Sequence, residues 1–204
     1  MELEMRQIEQ RYRSIRIVDR GRRARLLASI SEHGQRSPVL VVRAGEHEYV
    51  LIDGHARVES LQALGRDVVE ATVLDLTEPE ALVFVHRMEA VRPRTALEEG
   101  WLIAELVDRH GWSHRTIAVR LQRSASWICR RLALIRTLPE SVQCAVLAGT
   151  VSPQAAMKHL VPLARANRGD CERLVANLRE TLSVRQAERL YLPLSHPDHP
   201  KQAA

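Results

Sequence analysis

The chain has no apolar run approaching the ~18 residues that a helix needs to cross a bilayer, so a helical membrane protein is not expected. Its first sixteen residues, MELEMRQIEQRYRSIR, are charged and lack the apolar stretch of a secretion signal. Cysteine is scarce. Cys129, Cys144 and Cys171, odd in number and widely spaced, suit neither a disulfide framework nor a zinc motif. Buried or idle thiols in a reducing cytoplasm are the expectation, and with them a cytoplasmic protein. Lysine is nearly missing too, since 28 of the 30 basic residues are arginine. No internal repeat is evident. What is present, 204 residues that are 45% hydrophobic and 27% charged, suits a globular chain of one large or two small domains.

Acid is absent from one segment in particular. Between Arg109 and Arg136 stand seven arginines (Arg109, Arg115, Arg120, Arg123, Arg130, Arg131 and Arg136) and no Asp or Glu. That stretch carries more positive charge than the +5 of the whole chain. A solvated basic helix face normally interleaves acids, so their absence favours a polyanionic partner.

The hydrophobic pattern divides the chain near Arg92–Ala96. Before that point, short β-prone runs alternate with helical patterns. IRIV (15–18) reads as a strand, RRARLLASISEHG as a helix closed by Gly34, PVLVVR and EYVLI as a hairpin around AGEH, and Val68–Leu74 as a further strand. TEPEALVFVHRM opens with Thr77 as N-cap and Glu80 at capping-box spacing. After Pro93 only helical patterns remain, broken at Gly111, Pro139, GTVSP and ANRGD. CERLVANLRETLSVRQAERLYL reads as two closing helices, and the proline-rich residues 193–204 as a disordered tail. The fold class expected is therefore α+β, a small α/β domain over residues 1–92 followed by an all-α domain over 93–192.

The all-α part carries the sharper motif. Ile117, Ala118 and Leu121 share one helical face, a turn of a few polar residues follows, and Ile128, Leu132 and Ile135 mark the next helix. Ala118 is small where two helices must cross closely. This is helix-turn-helix spacing, whose second helix enters the major groove. Ser126 and Arg130 lie four apart on the face away from Ile128 and Leu132, where arginine bonds guanine bidentately. Ser124 and Ala125, beside Ser126, are candidates for DNA contact as well. Arg115, Arg120, Arg123 and Arg131 are candidates for phosphate contacts. An ordinary antiparallel helix pair is the competing reading. The turn position where glycine is easiest is Gln122, and Trp127 reads as helix packing rather than a base-stacking platform.

In the N-terminal part, LIDGHARVESLQALG joins a strand to a helix through Asp-Gly, a junction that presents backbone N–H groups to phosphate. Asp53 is read either as the cap of the helix beginning at His55 or, with His55, as an acid–base or phosphate contact.

GQRSPVLVVR, YVLIDGHARVESLQALG and the helix-turn-helix followed by LPESVQCAVLAGTVSPQAAMKHL together resemble the ParB (ParB/RepB-like) partition-protein family over roughly residues 15–165. The resemblance implies a sulfiredoxin-like N-terminal domain that binds CTP with magnesium, a helix-turn-helix that reads a palindromic duplex DNA site, a homodimer and a partition ATPase partner. It places nucleotide contacts at Gly34, Gln35, Arg36 and Ser37, at the turn Gly54, His55, Ala56 and Arg57, and at Glu89 and Arg92. The family's Gly-Glu-Arg-Arg turn has become Gly-His-Ala-Arg, and the asparagine of its Glu-Asn motif is Ala90. Half the charged contacts are thus gone, each costing roughly 1.5–3 kcal/mol. The turn then either holds a nucleotide weakly or only turns the chain. Sulfiredoxin's reactive cysteine has no counterpart between residues 1 and 128, and a free-serine-kinase-like Asp-Gly-His turn is matched in part. DNA binding in partition or mobile-element maintenance is the function expected. A transcriptional regulator, and a CTP hydrolase or nucleotide-dependent kinase, stand as alternatives.

Overall fold

The computed structural model describes residues 1–89, 93–178 and 181–187. The predicted tail, Ala90 and Arg92 lie outside them. The chain divides into two compact units, Met1–Arg94 and Thr95–Ala204.

Burial along the strands explains the first unit. β3 (Val39–Arg43) and β4 (Tyr49–Asp53) are buried along most of their length, so both faces are covered, as near-continuous apolar runs demand. They pair antiparallel around the Ala44–Glu48 turn, the hairpin expected. β5 (Val68–Leu74) buries Val69 and Ala71 in alternation and runs parallel to β3. Two short strands complete a five-stranded sheet of order β1-β5-β3-β4-β2: β1 (Glu2–Glu4) antiparallel to β5, and β2 (Ile8–Glu9) parallel to β4. α1 (Arg20–His33) begins at Asp19, whose carboxylate accepts the Arg22 N–H at 3.0 Å, and ends at Gly34 with φ 72°. α2 (His55–Ala63) packs on α1. Thr77 and Glu80 form the capping box that starts α3 (Glu78–Met88). Leu3, Val39, Val41, Leu51, Val58 and Val69 form the core.

The strand expected at IRIV does not form. Arg13–Ile15 is a 3-10 turn, Arg16 is extended but belongs to no strand, and the place beside β4 is taken by Ile8–Glu9. A sheet edge accepts one neighbour, and the earlier segment occupies it.

The second unit is helical: α4 (Ala96–Asp108), α5 (His114–Leu121), α6 (Ala125–Arg136), α7 (Glu140–Leu147), then α8 (Pro153–Ala155) passing through a π-helical turn, Ala156–Leu160, into α9 (Val161–Ala166), and α10 (Arg168–Ala176). Thr95 and Glu98 form a capping box at α4, and Ser113, Ser124 and Ser152 cap α5, α6 and α8. Of the two closing helices expected, α10 is the first. The second falls partly outside the described residues, whose last helical stretch is 184–187. A parallel bridge, Val151 to Leu182, ties the chain back on itself.

Candidate functional site

The helix-turn-helix is built as its spacing implies. Ile117, Ala118 and Leu121 of α5 and Ile128 and Leu132 of α6 are buried, while Ile135 is partly buried against the unit's main core. Gln122 makes the turn with φ 54° and ψ 46°, the one non-glycine residue at positive φ among the described residues. The Arg123 N–H returns to the Ala118 carbonyl at 2.9 Å, closing α5. Ser124 then accepts the Trp127 N–H at 3.2 Å and opens α6.

Around this frame, Arg115, Arg120, Arg123, Ala125, Ser126 and Arg130 are exposed. The acids missing from the sequence between residues 109 and 136 arrive in space from α4. Arg109 pairs with Glu105 and Arg136 with Asp108, while Arg131 meets Glu99 at 2.5 Å. Arg115, Arg123 and Arg130 have no carboxylate partner among the described residues. The expected phosphate contact Arg131 is only 18% exposed and is already committed to Glu99. Its guanidinium lies 5.1 Å from the centre of the Trp127 ring, that of Arg123 lies 5.4 Å from the same ring, and that of Arg120 lies 5.7 Å from Trp112. Trp127 is half-buried, and where packing beside the apolar face is the expectation, its ring instead carries two guanidiniums.

The first unit holds a cleft of about 270 Å³ lined by Arg13, Arg16, Arg22, Arg23, Arg57 and the Gly54–Arg57 turn. Gly54 sits at φ 103°, and a Cβ there would stand 2.6 Å from Val39 Cγ1. Both facts demand glycine. Asp53 does not cap α2, because its Oδ2 accepts from Arg57 Nη2 at 2.7 Å. Gly54 is the N-cap and offers no side chain, so the first-turn N–H groups of α2 gain no side-chain cap. Arg57 also donates to Ser37 Oγ at 3.0 Å. Arg13 and Arg23 both pair with Glu59. Arg22 lines the cleft with no acidic partner among the described residues. His55 is largely enclosed, its Nε2 meets no partner among the described residues, and burial pushes its pKa down to about 4 despite Asp53 and Glu59 nearby. Ala56 is exposed at the cleft.

The two halves of the expected nucleotide site come together only at Ser37, which joins Arg57 in the cleft. Gly34 and Gln35 line a separate depression with Glu70 and Arg66. The Gln35 amide donates to the Glu70 carbonyl at 2.7 Å and accepts the Glu70 N–H at 2.9 Å, so it clamps α1's exit to β5. Arg36 is exposed and Ser37 alone of that loop reaches the cleft. Glu89 bonds Arg16 and Arg94, each at 3.2 Å, and burial raises its pKa against those two cations. Four cleft arginines, Arg13, Arg16, Arg22 and Arg23, were missed. Their signal was the density of arginine in RYRSIRIVDRGRRAR, with Asp19 its sole acid.

The cleft suits the phosphates of a nucleotide, which cationic side chains and a glycine cap both favour. It suits magnesium less well, because Asp53 and Glu59 both already face arginines, and no cluster of three His, Cys, Asp or Glu stands among the described residues.

Comparison with known proteins agrees with this architecture. Residues 1–90 match the ParB N-terminal domain and residues 109–194 the KorB domain. The nucleoid occlusion protein of Bacillus thuringiensis (strain Al Hakam) is 26% identical over 196 residues, 95% of this chain, and the chain spans 66% of that relative's length. Among solved structures, C-terminally truncated chromosome-partitioning protein ParB from Caulobacter crescentus, complexed to the centromeric parS site, superposes with a TM-score of 0.50 at 20% identity. That match covers 94% of this chain and 98% of that one. A pNOB8-like ParB N-domain does so with a TM-score of 0.50 at 20% identity, covering 100% and 84%. The chain thus carries a ParB N-terminal domain followed by a KorB domain.

Proposed function

We propose that the chain is a site-specific DNA-binding protein of the partition or nucleoid-occlusion type. The observation that carries this is the exposed cationic face of the helix-turn-helix, with Arg115, Arg123 and Arg130 lacking acidic partners among the described residues. α6 enters the major groove, Ser126 and Arg130 read base edges, and Arg115, Arg120 and Arg123 hold phosphates. The Caulobacter protein of this fold is bound to parS and the Bacillus relatives are named for nucleoid occlusion, which supports the reading. A homodimer on a twofold site, a partition ATPase partner and a cytoplasmic, nucleoid-associated protein belong to the same proposal. So does a nucleotide whose phosphates lie at the Gly54–Arg57 turn and Arg22. No described helix is long and apolar enough to cross a membrane.

A duplex titration at several salt concentrations tests it. Arg115→Ala and Arg120→Ala each lower the salt slope by about 0.9, one phosphate contact, on any sequence. Slopes unchanged in both folded variants would remove α5 from the interface.

A further inference from the structure

Arg123, Trp127 and Arg131 follow one another at intervals of four residues, and in the structure both guanidiniums gather on the one indole, at 5.4 and 5.1 Å. An aromatic ring attracts a cation over its face, but two cations sharing a ring repel each other. The repulsion is relieved on one side only. Glu99 Oε2, from α4, stands 2.5 Å from Arg131 Nε, and the Arg131 guanidinium also lies against the Met157 sulfur. Arg131 is therefore the inner cation, neutralised and largely buried. Arg123 is the outer one, exposed and without a carboxylate among the described residues.

We propose that Trp127 is a positioning residue for DNA binding: its indole, anchored on the Glu99–Arg131 pair, holds the Arg123 guanidinium in place beside the first turn of α6. An exposed arginine otherwise samples many rotamers, and binding a phosphate must pay the entropy of freezing them. Stacking on Trp127 removes part of that loss beforehand. It also leaves the N–H edges of the guanidinium open, since a ring contacts the plane and not the donors. Glu99 acts through Arg131, by making the shared ring tolerable to a second cation. The proposal rests on the DNA-binding reading above and adds a residue to which that reading gives no part.

Two measurements on the full chain separate the stack from its use. In the free protein, ring current shifts the Arg123 and Arg131 Nε–H proton resonances upfield, and Trp127→Leu returns both to the ordinary position. Arg123→Ala identifies which resonance is which. In salt titrations with duplex DNA, Trp127→Leu weakens binding about two- to fivefold and flattens the salt dependence towards that of Arg123→Ala. Trp127→Phe keeps a π face and recovers most of the loss. The double variant Trp127→Leu/Arg123→Ala binds like Arg123→Ala alone, because both changes remove the same contact. A merely structural tryptophan would give additive losses and no recovery by Phe, and that result overturns the proposal. So do resonances that Trp127→Leu leaves unmoved. If the unmodified chain binds no duplex at any salt, the DNA-binding reading itself fails and the positioning role with it, and the ring-current shift still reports whether the stack forms.

Discussion

A Cβ added to Gly100 of α4 would stand 2.6 Å from Ile135 Cγ1 of α6 and 2.8 Å from the Arg131 carbonyl. The two helices cross where α4 has no side chain, and the crossing sets how far α6 stands from the rest of its unit. The contact with the Arg131 carbonyl is to backbone, which has no rotamer to change. Gly100→Ala therefore destabilises the second unit by about 1–3 kcal/mol through overpacking, measured by urea unfolding. The gain in helix propensity from glycine to alanine, about 1 kcal/mol, offsets part of this. A variant more stable than the parent would show that the helices separate freely.

Gln122 offers the opposite case. It holds φ 54° where an L residue loses roughly 1–2 kcal/mol, and its side chain is exposed. Gln122→Gly relieves that strain but frees the unfolded chain, leaving a net gain of about 0.5–1 kcal/mol. Thermal unfolding checks it. A loss of stability would mean that the Gln122 side chain makes a contact outweighing the strain.

His55 gives the first unit a pH dependence. Burial lowers its pKa to about 4 in the folded chain, against an ordinary value of 6.5. Between those values the unfolded chain binds the proton and the native one does not, so stability rises with pH across this window. It is fully present above pH 6.5 and is lost as pH falls towards 4. The gain is on the order of 2 kcal/mol, and His55→Gln removes this part of the slope. Unfolding curves collected from pH 4 to 7 for both proteins decide it, and identical slopes would contradict the burial argument. A neutral imidazole at physiological pH also leaves His55 without the charge that would draw a phosphate.

The cleft and the Gly34–Gln35 depression are separate, so nucleotide binding should divide the same way. Calorimetry with CTP, ATP and GTP is expected to show weak binding that Arg57→Ala reduces by roughly tenfold or more. Arg22→Ala reduces it as well, whereas Gln35→Ala destabilises the fold without a direct effect on the ligand. A loss on Gln35→Ala in a protein still fully folded would place the nucleotide across both depressions.

The helix-turn-helix was legible because its buried positions, Ile117, Ala118, Leu121, Ile128 and Leu132, repeat at helical spacing. The β3–β4 hairpin, the capping box at Thr77 and the helix stop at Gly34 were legible for the same local reasons. What failed was set over long distances. β1 and β2 bury only Leu3 and Ile8 respectively, too few positions for a period to show, and the edge they fill displaced IRIV from the sheet. Glu99 lies 32 residues from the Arg131 it neutralises, and Glu70 lies 35 from the Gln35 it engages. No spacing rule links such pairs. The arginines of the cleft were visible as a charge run but carried no sign of which way they point.

Selection of bound duplexes from a random pool, by the unmodified chain and by Arg130→Ala, tests the DNA-binding account most directly. Base reading by α6 predicts one enriched sequence for the unmodified chain and, for Arg130→Ala, the same sequence with the preference lost at one base pair, worth about 1–3 kcal/mol. No enriched sequence at low salt, or one whose every position survives Arg130→Ala, would contradict it.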